Sequence, residues 1–449
     1  MRPQPGGLAT DFYQLTMAHA YFAREMRGTA VFEMFVRQLP RSRRFLIAAG
    51  LEQALACAED LRFSAGELEF LAGLGSFPAR FLDFLGTVRF TGAIHAVPEG
   101  TAFFPDEPML RITGPIIEAQ LLESRLLNIM HFQTLIASKA ARCRIAADGR
   151  RLFDFGFRRA HEADAGVLAA RAAYLAGFDG TATVEAGRRF GIPLSGTLAH
   201  SYIEAHELEE QAFEHFVMDR PGAATLLIDT YDTQRAARRV AALARKLKAQ
   251  GISGHSIQSV RIDSGDLAAE ARAVRSILDR EGCQDIRIVL SGGLEETAIA
   301  SLVAADVPVD AFGVGTALDV SLDAPVLDMV YKLQMYEGRP RRKRSVGKAT
   351  WPGAKQVYRE RGADGLDLRD HIVEEAEQAA GEPLLMEFLR AGRRIGLHPS
   401  LADARARCRQ QLAALPPALR ELAPGAPSYP VGISPVLRAM AAQADLSPT

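Results

Sequence analysis

A chain of 449 residues with almost no excess charge cannot attract its ligand by a global field: 53 Lys+Arg against 54 Asp+Glu leave a formal net charge of −1. Nucleic acid or an anionic membrane surface would find no broad field of opposite sign, and a polyanionic ligand would have to be held by a local cluster of donors. Long apolar runs are also lacking. None approaches the roughly 18 residues of a spanning helix, and the start, Met1-Arg-Pro-Gln-Pro-Gly-Gly7, has no apolar core of a signal peptide. Cysteine is scarce: Cys57, Cys143, Cys283 and Cys408 stand far apart and form no metal or redox spacing. They are read as reduced thiols of a cytoplasmic protein. There is no low-complexity tract.

What is present is a repeated pattern. Four short apolar runs, Thr225-Leu-Leu-Ile-Asp229, Val260-Arg-Ile-Asp263, Ile286-Arg-Ile-Val-Leu290 and Ala311-Phe-Gly-Val-Gly315, begin 35, 26 and 25 residues apart. Each ends in small or polar residues, and helical stretches lie between them, at the period of strand–helix units in a parallel sheet or β/α barrel. Between the strands, Ala236, Val240, Leu243 and Leu247 share one helix face, with Gly251 as its stop; Leu267, Ala271, Val274 and Leu278 share another, with Asp266 as N-cap and Gly282 as stop. Arg151-Leu-Phe-Asp-Phe-Gly156 and Ile192-Pro-Leu-Ser-Gly196 are expected to be further strands of the same layer, and residues 116–147 one or two long helices leading into it. The flanks alternate extended runs with turns, at Gly92–Val97 and Met109–Thr113 and again at Gln356–Tyr358 and Leu384–Phe388. The expected organisation is an N-terminal α/β domain over 1–115, a β/α barrel over 116–336, and a C-terminal segment over 337–449 that partly rejoins the first domain.

Such folds place chemistry at the C-terminal ends of their strands. Those ends carry Asp229, Asp263, Ser291-Gly-Gly293 and Gly313-Val-Gly-Thr316. Glycines after the last two strands either permit tight turns or let backbone N–H groups approach a phosphate closely; two such pairs on adjacent strand ends favour phosphate. Asp229 and Asp263 either cap the following helices or hold ribose hydroxyls or hydrated Mg²⁺. For Asp266 the cap is the better reading; for Asp263, with Arg261, Ser264 and Gly265 around it, function is. Arg261 suits a small carboxylic acid, or an internal salt bridge. His200, in Gly196-Thr-Leu-Ala-His200-Ser201, is a nucleophile, a general base or a plain hydrogen-bonding group. Phe155 with Arg158 and Arg159 offers a stacking ring and two cations, or a core Phe with solvated arginines. The basic run Arg339–Arg344, followed by Ser345, Lys348, Lys355 and Arg359, is a solvated loop or a cover for polyphosphate.

Taken together, Thr10-Asp-Phe-Tyr-Gln-Leu-Thr-Met-Ala18, Phe153-Asp-Phe-Gly-Phe-Arg-Arg-Ala160, Gly196-Thr-Leu-Ala-His-Ser201, Val260-Arg-Ile-Asp-Ser-Gly-Asp266, Phe312-Gly-Val-Gly-Thr316 and Lys348-Ala-Thr-Trp-Pro-Gly-Ala-Lys-Gln-Val-Tyr-Arg359 resemble, in the same order, the nicotinate phosphoribosyltransferase family. The resemblance spans nearly the whole chain. It implies an irregular β/α barrel of the type II phosphoribosyltransferase kind, an α/β N-terminal domain completed by C-terminal segments, and a homodimer with active sites at the subunit interface. The implied reaction joins nicotinate to phosphoribosyl pyrophosphate with ATP hydrolysis, in NAD salvage. By resemblance His200 is transiently phosphorylated by ATP, Tyr13 and Phe155 sandwich the pyridine ring, and Arg261 and Thr197 engage the nicotinate end. Gly315 and Thr316, with Ser291, Gly292 and Gly293, hold the phosphate side. Arg158, Asp229 and Asp263 surround the ribose and pyrophosphate, with Mg²⁺ on Asp263.

One departure bears on the substrate. Gly180-Thr-Ala-Thr183 stands where nicotinate enzymes usually have Gly-Thr-Ser-Asn, and the related nicotinamide enzymes carry an aspartate at the position of Ala182. Ala182 accepts nothing from an amide and does not repel a carboxylate, which favours nicotinate. The alternatives are a phosphoribosyltransferase for nicotinamide or another base, and a non-catalytic nucleotide-binding relative.

Overall fold

The computed structural model describes residues 6–222, 224–251, 256–396, 399–422, 425 and 428–446. The chain forms two compact units, Met1–Ser138 with Val326–Thr449, and Lys139–Pro325.

The second unit is built on one parallel sheet. Its strands are β1 (Arg151–Asp154), β2 (Gly180–Thr181), β3 (Ala224–Leu227), β4 (Ile257–Ile262), β5 (Arg287–Leu290) and β6 (Ala311–Val314), in the order β2-β1-β6-β5-β4-β3. All neighbours are parallel, and β2 and β3 are the two edges, so among the described residues this is an open half-barrel. The strands are short and largely buried, as expected where helices cover a parallel sheet. Two of those helices are α1 (Thr233–Ala249) and α2 (Leu267–Arg280). In α1 the predicted face Ala236, Val240, Leu243 and Leu247 is buried, and Asp232 caps the first turn by accepting the Arg235 N–H at 2.8 Å. In α2, Ala271, Val274 and Leu278 are buried, and Asp266 accepts the N–H groups of Ala268 and Ala269, both at 3.1 Å. Gly251 and Gly282 follow the two helices with positive φ, as C-terminal stops require.

One expected strand is not there. Ile192-Pro-Leu-Ser-Gly196 is reduced to a single bridge between Leu194 and Thr181. Pro193 has no N–H to give a ladder, and what pairing remains runs through its carbonyl, which accepts from the Thr181 N–H at 3.0 Å, and the Ser195 N–H, which donates to the Thr181 carbonyl at 2.9 Å. The sixth position in the sheet belongs instead to Gly180–Thr181.

The first unit contains a seven-stranded antiparallel sheet, in the order Arg339–Pro340, Met329–Tyr336, Thr29–Val36, Leu110–Pro115, Ala93–Ala96, Met386–Arg390, Arg393–Arg394. Late strands thus complete an early sheet: Met329–Tyr336 pairs with Thr29–Val36, and Met386–Arg390 with Ala93–Ala96. This pairing is why the first unit takes up the chain again at Val326; since it also runs to Ser138, the stretch 116–336 assigned to the barrel from sequence is shortened at both ends, to Lys139–Pro325. A smaller sheet holds Lys355–Arg361 against Asp367–Glu374.

The smaller sheet encloses a charged pair. The side chains of Arg359 and Asp370 have no exposure and meet through bonds of 2.9 and 2.6 Å; Gln411 takes a third guanidinium bond at 2.8 Å, and Tyr429 donates to Asp370 at 3.0 Å. Removing Asp370 leaves the buried guanidinium with Asp367, 3.7 Å away, as its nearest carboxylate. Asp370→Ala is expected to cost about 3–5 kcal/mol, read as a lower denaturant midpoint with an unchanged slope.

Candidate functional site

The ends of β4 and β5 are joined by one side chain. Arg261 donates from Nε to Ser291 Oγ at 2.8 Å, from Nη1 to Thr197 Oγ1 at 2.7 Å and from Nη2 to Asp263 Oδ1 at 2.7 Å. Its guanidinium carbon lies 5.5 Å from the centroid of the Phe155 ring, within cation–π range. Ser291 also donates to Asp263 Oδ1, at 2.5 Å. Burial by itself would raise the Asp263 carboxyl, but the bonds from Ser291 and Arg261 and the nearby His200 outweigh it and hold the group below its ordinary value. Asp263 therefore remains ionised at any working pH, and its contribution to the cluster is lost only as acid carries the pH down through that depressed value.

Asp229 and Asp263 do not cap the helices that follow them; Asp232 and Asp266 do. Asp229 Oδ2 accepts the Asp263 N–H at 3.0 Å and the Ser264 hydroxyl at 2.5 Å, while its buried Oδ1 has no hydrogen-bond partner. Each carboxylate thus keeps one oxygen, Asp229 Oδ1 and Asp263 Oδ2, outside these bonds. Among the described residues, no group of three or more His, Cys, Asp or Glu side chains is placed to hold a metal. That donor set suits Mg²⁺, which keeps several waters and takes one or two carboxylates plus substrate phosphates. Asp263 and Asp229 are the residues that would hold it.

His200 opens the short helix His200–Glu204, and its Nδ1 lies 3.1 Å from Thr230 Oγ1. The half-buried imidazole is thereby tied to the end of β3, in the field of Asp263. Thr197, three residues upstream of the helix, bonds Arg261. The Gly196–Ser201 segment therefore carries both the hydroxyl that bonds Arg261 and the histidine that bonds Thr230.

The glycines divide into two roles. Gly292 (φ +91°) and Gly293 (φ +64°) form a turn that only glycine adopts readily, and a Cβ on Gly292 would fall 1.9 Å from the Asp263 carbonyl oxygen. Gly313, read from sequence with the phosphate turn, is the seat of Phe155: a Cβ there would lie 2.5 Å from two carbons of the ring. Phe155 also stacks on Phe153 at 6.4 Å and 11°. Gly315 and Thr316 form the turn after β6, where the short helix Thr316–Asp319 begins. Arg158 lies on the exposed turn Phe157–Arg159 with no side-chain partner among the described residues, which leaves its guanidinium open to a ligand anion. Tyr13 belongs to the first unit, half-exposed on the helix Phe12–Ala23.

Sequence reasoning missed Thr230, which follows Asp229 directly and could have been found as another polar group at a strand end. It also missed the buried Asp154, Thr181 and Asp319; no spacing signal connects these three.

Two family models match the chain: the nicotinate phosphoribosyltransferase (NAPRTase) N-terminal domain over residues 8–131, and the nicotinate phosphoribosyltransferase (NAPRTase) family over residues 150–338. A nicotinate phosphoribosyltransferase of Mycobacterium tuberculosis, pncB2, is 48% identical over 435 residues, covering 97% of this chain and 93% of the relative. That of Bacillus subtilis is 38% identical over 359 residues, covering 78% and 72%. The crystal structure of human nicotinic acid phosphoribosyltransferase superposes with a TM-score of 0.86 at 30% identity, covering 97% of this chain and all of that one.

Proposed function

Since this chain belongs to the nicotinate phosphoribosyltransferase family, we propose that it couples ATP hydrolysis to the transfer of a phosphoribosyl group from phosphoribosyl pyrophosphate to nicotinate, as a step of NAD salvage. The observation that carries the substrate choice is the Arg261 guanidinium, fixed between Thr197, Ser291 and Asp263 beside the face of Phe155. A flat ring lying on Phe155 with its carboxylate toward Arg261 has both its apolar and its anionic parts met. Ala182, exposed after β2, adds no acceptor for an amide.

The reaction asks for little covalent chemistry at the sugar. Pyrophosphate leaves C1 as positive charge develops on the ribose, and the pyridine nitrogen attacks from the opposite side. Phe155 and Arg261 hold the nitrogen in line, which converts the encounter to an oriented, effectively unimolecular step. Asp229 and Asp263 place negative charge near the developing cation, and the Ser291–Gly293 and Gly315–Thr316 turns hold phosphate oxygens by backbone N–H groups. Mg²⁺ bound with the pyrophosphate would neutralise the leaving group. In a homodimer, Tyr13 of the partner subunit covers the second face of the pyridine ring. His200, phosphorylated by ATP, would bring added negative charge to the end of β3 and order the adjoining turns.

Pyrophosphate release tests this reading. Nicotinate should be accepted far better than nicotinamide, and ATP should stimulate turnover. His200→Ala should abolish the stimulation while leaving ATP-independent release. Full ATP-stimulated turnover in that variant would sink the phosphohistidine, and equal use of the two bases would sink the assignment of Arg261.

A further inference from the structure

Two buried carboxyl groups lie behind the base platform, and the reaction as described uses neither. Asp154 ends β1 and Asp319 ends the short helix Thr316–Asp319; each is 1% exposed. They meet around Gly156. The Gly156 N–H donates to Asp154 Oδ1 at 2.8 Å, and a Cβ on Gly156 would lie 2.3 Å from the carboxyl carbon of Asp319. The hydrogen-bond inventories of the two differ. Asp154 accepts twice, from Gly156 at Oδ1 and from the Thr181 hydroxyl at Oδ2, at 2.7 Å. Neither oxygen of Asp319 receives a donor.

We propose that Asp319 and Asp154 form an acid–carboxylate pair in which Asp319 keeps the proton and donates it to Asp154, and that this pair fixes the Phe155–Gly156 turn and so the ring on which the base is bound. Two carboxyl groups brought against the same buried glycine in a dry site do not both ionise. The one that already has two donors is the stable anion, and the one with none is the stable acid. Among the described residues, no Lys or Arg shifts either carboxyl. The packed elements around the pair, the turn Phe157–Arg159 and the helix Ala163–Leu175, carry Arg158, Arg159, Asp164, Arg171 and Tyr174. Arg158 and Arg159 are exposed, Arg171 lies over the Phe190 ring at 5.8 Å, and Asp164 is 3.7 Å from Arg189. The neighbouring strands β2 and β6 bring no ionisable residue. Burial first, and then the neighbouring Asp154 carboxylate, raise Asp319 well above an ordinary aspartate; burial also raises Asp154, against the bonds from Thr181, Gly156 and Asp319.

Ionising Asp319 would set two like charges against Gly156, whose N–H is held by one carboxylate and whose Cα abuts the other. The turn would shift, and Phe155 with it, away from its seat on Gly313. Asp319 is a positioning residue: it acts on the base through Phe155. This role rests on the reading of Phe155 as the nicotinate platform.

The test uses the full chain and two measurements. The first is infrared: at neutral pH the difference spectrum between the unaltered protein and Asp319→Asn should show the carbonyl stretch of a buried, protonated carboxylic acid lost in the variant, the buried Glu107 being common to both. The second is the nicotinate KM as a function of pH. In the unaltered protein it should rise about five- to tenfold as the pair titrates, the loss of about one hydrogen bond, with kcat and the phosphoribosyl pyrophosphate KM little changed. In Asp319→Asn, whose amide is a permanent neutral donor to Asp154, the KM should stay low and flat. Asp319→Ala, with no donor, should hold it high at every pH. Absence of the acid band, its survival in Asp319→Asn, or the same pH-dependent rise in that variant would each overturn the pair. An acid band without any nicotinate turnover would leave the shared proton standing and overturn the platform reading and the positioning role.

Discussion

Arg261→Ala should lower kcat/KM for nicotinate by about 10²–10³-fold, roughly 3–4 kcal/mol, the lower part of the range for removing one partner of a hydrogen-bonded charge pair, since Arg261 is only partly buried. Most of the loss should appear as a raised KM. The side chain holds Ser291, Thr197 and Asp263 at 2.8, 2.7 and 2.7 Å and lies beside the Phe155 ring. Its removal deletes the carboxylate's partner and also leaves Asp263 with the Ser291 hydroxyl as its side-chain donor. Arg261→Lys should recover only part of the activity, because a point charge cannot span three acceptors placed for a fork. Nicotinamide, with no carboxylate to lose, should suffer less, so the ratio of the two bases should fall. Steady-state kinetics with both bases measures this, and an unchanged nicotinate KM in the alanine variant would place the carboxylate elsewhere.

Much of the scaffold that holds Arg261 was legible before any coordinates. The strand–helix alternation shows because parallel strands covered on both faces must be continuously apolar and must stop at small or polar residues, as Val260–Asp263 and Ile286–Leu290 do. Asp266, Gly251 and Gly282 were legible because caps and stops are local chemistry. Ile192–Gly196 has the apolarity of a strand, but Pro193 has no N–H for a ladder, and Gly180–Thr181 is too short to carry a period. The contacts were not legible at all. Thr197 and Arg261 are 64 residues apart, and Asp154 and Asp319 are brought together only by the packing of the helix after β6 against the end of β1. Gly313 shows the same limit: a glycine beside a phosphate turn and a glycine beneath an aromatic ring look alike in sequence, and only the distance to Phe155 tells them apart.

The Ser291–Gly293 turn offers a comparison in which the sequence change is the same and the expected effects are not. Gly293→Ala places a methyl in open space at φ +64°, so it should incur only the left-handed penalty of about 1–2 kcal/mol. Gly292→Ala meets that penalty at φ +91° and in addition sets its Cβ 1.9 Å from the Asp263 carbonyl oxygen. The obstacle is backbone, so no rotamer relieves it; either the turn or the end of β4 must move. The end of β4 bears the Asp263 carboxylate, bonded to Arg261 and Ser291, and the Asp263 N–H, bonded to Asp229. A shift there disturbs the carboxylate pair, the arginine and the phosphate turn together. Gly292→Ala should therefore lose about 3 kcal/mol or more of stability, beyond the ordinary range for one substitution, and about 100-fold in kcat/KM for phosphoribosyl pyrophosphate. Denaturant midpoints and kinetics of the two variants side by side measure the difference. Equal behaviour would mean that the turn does not abut β4. A Gly292 variant that is unstable but catalytically intact would separate the fold of this corner from its chemistry, a result incompatible with Asp263 serving both.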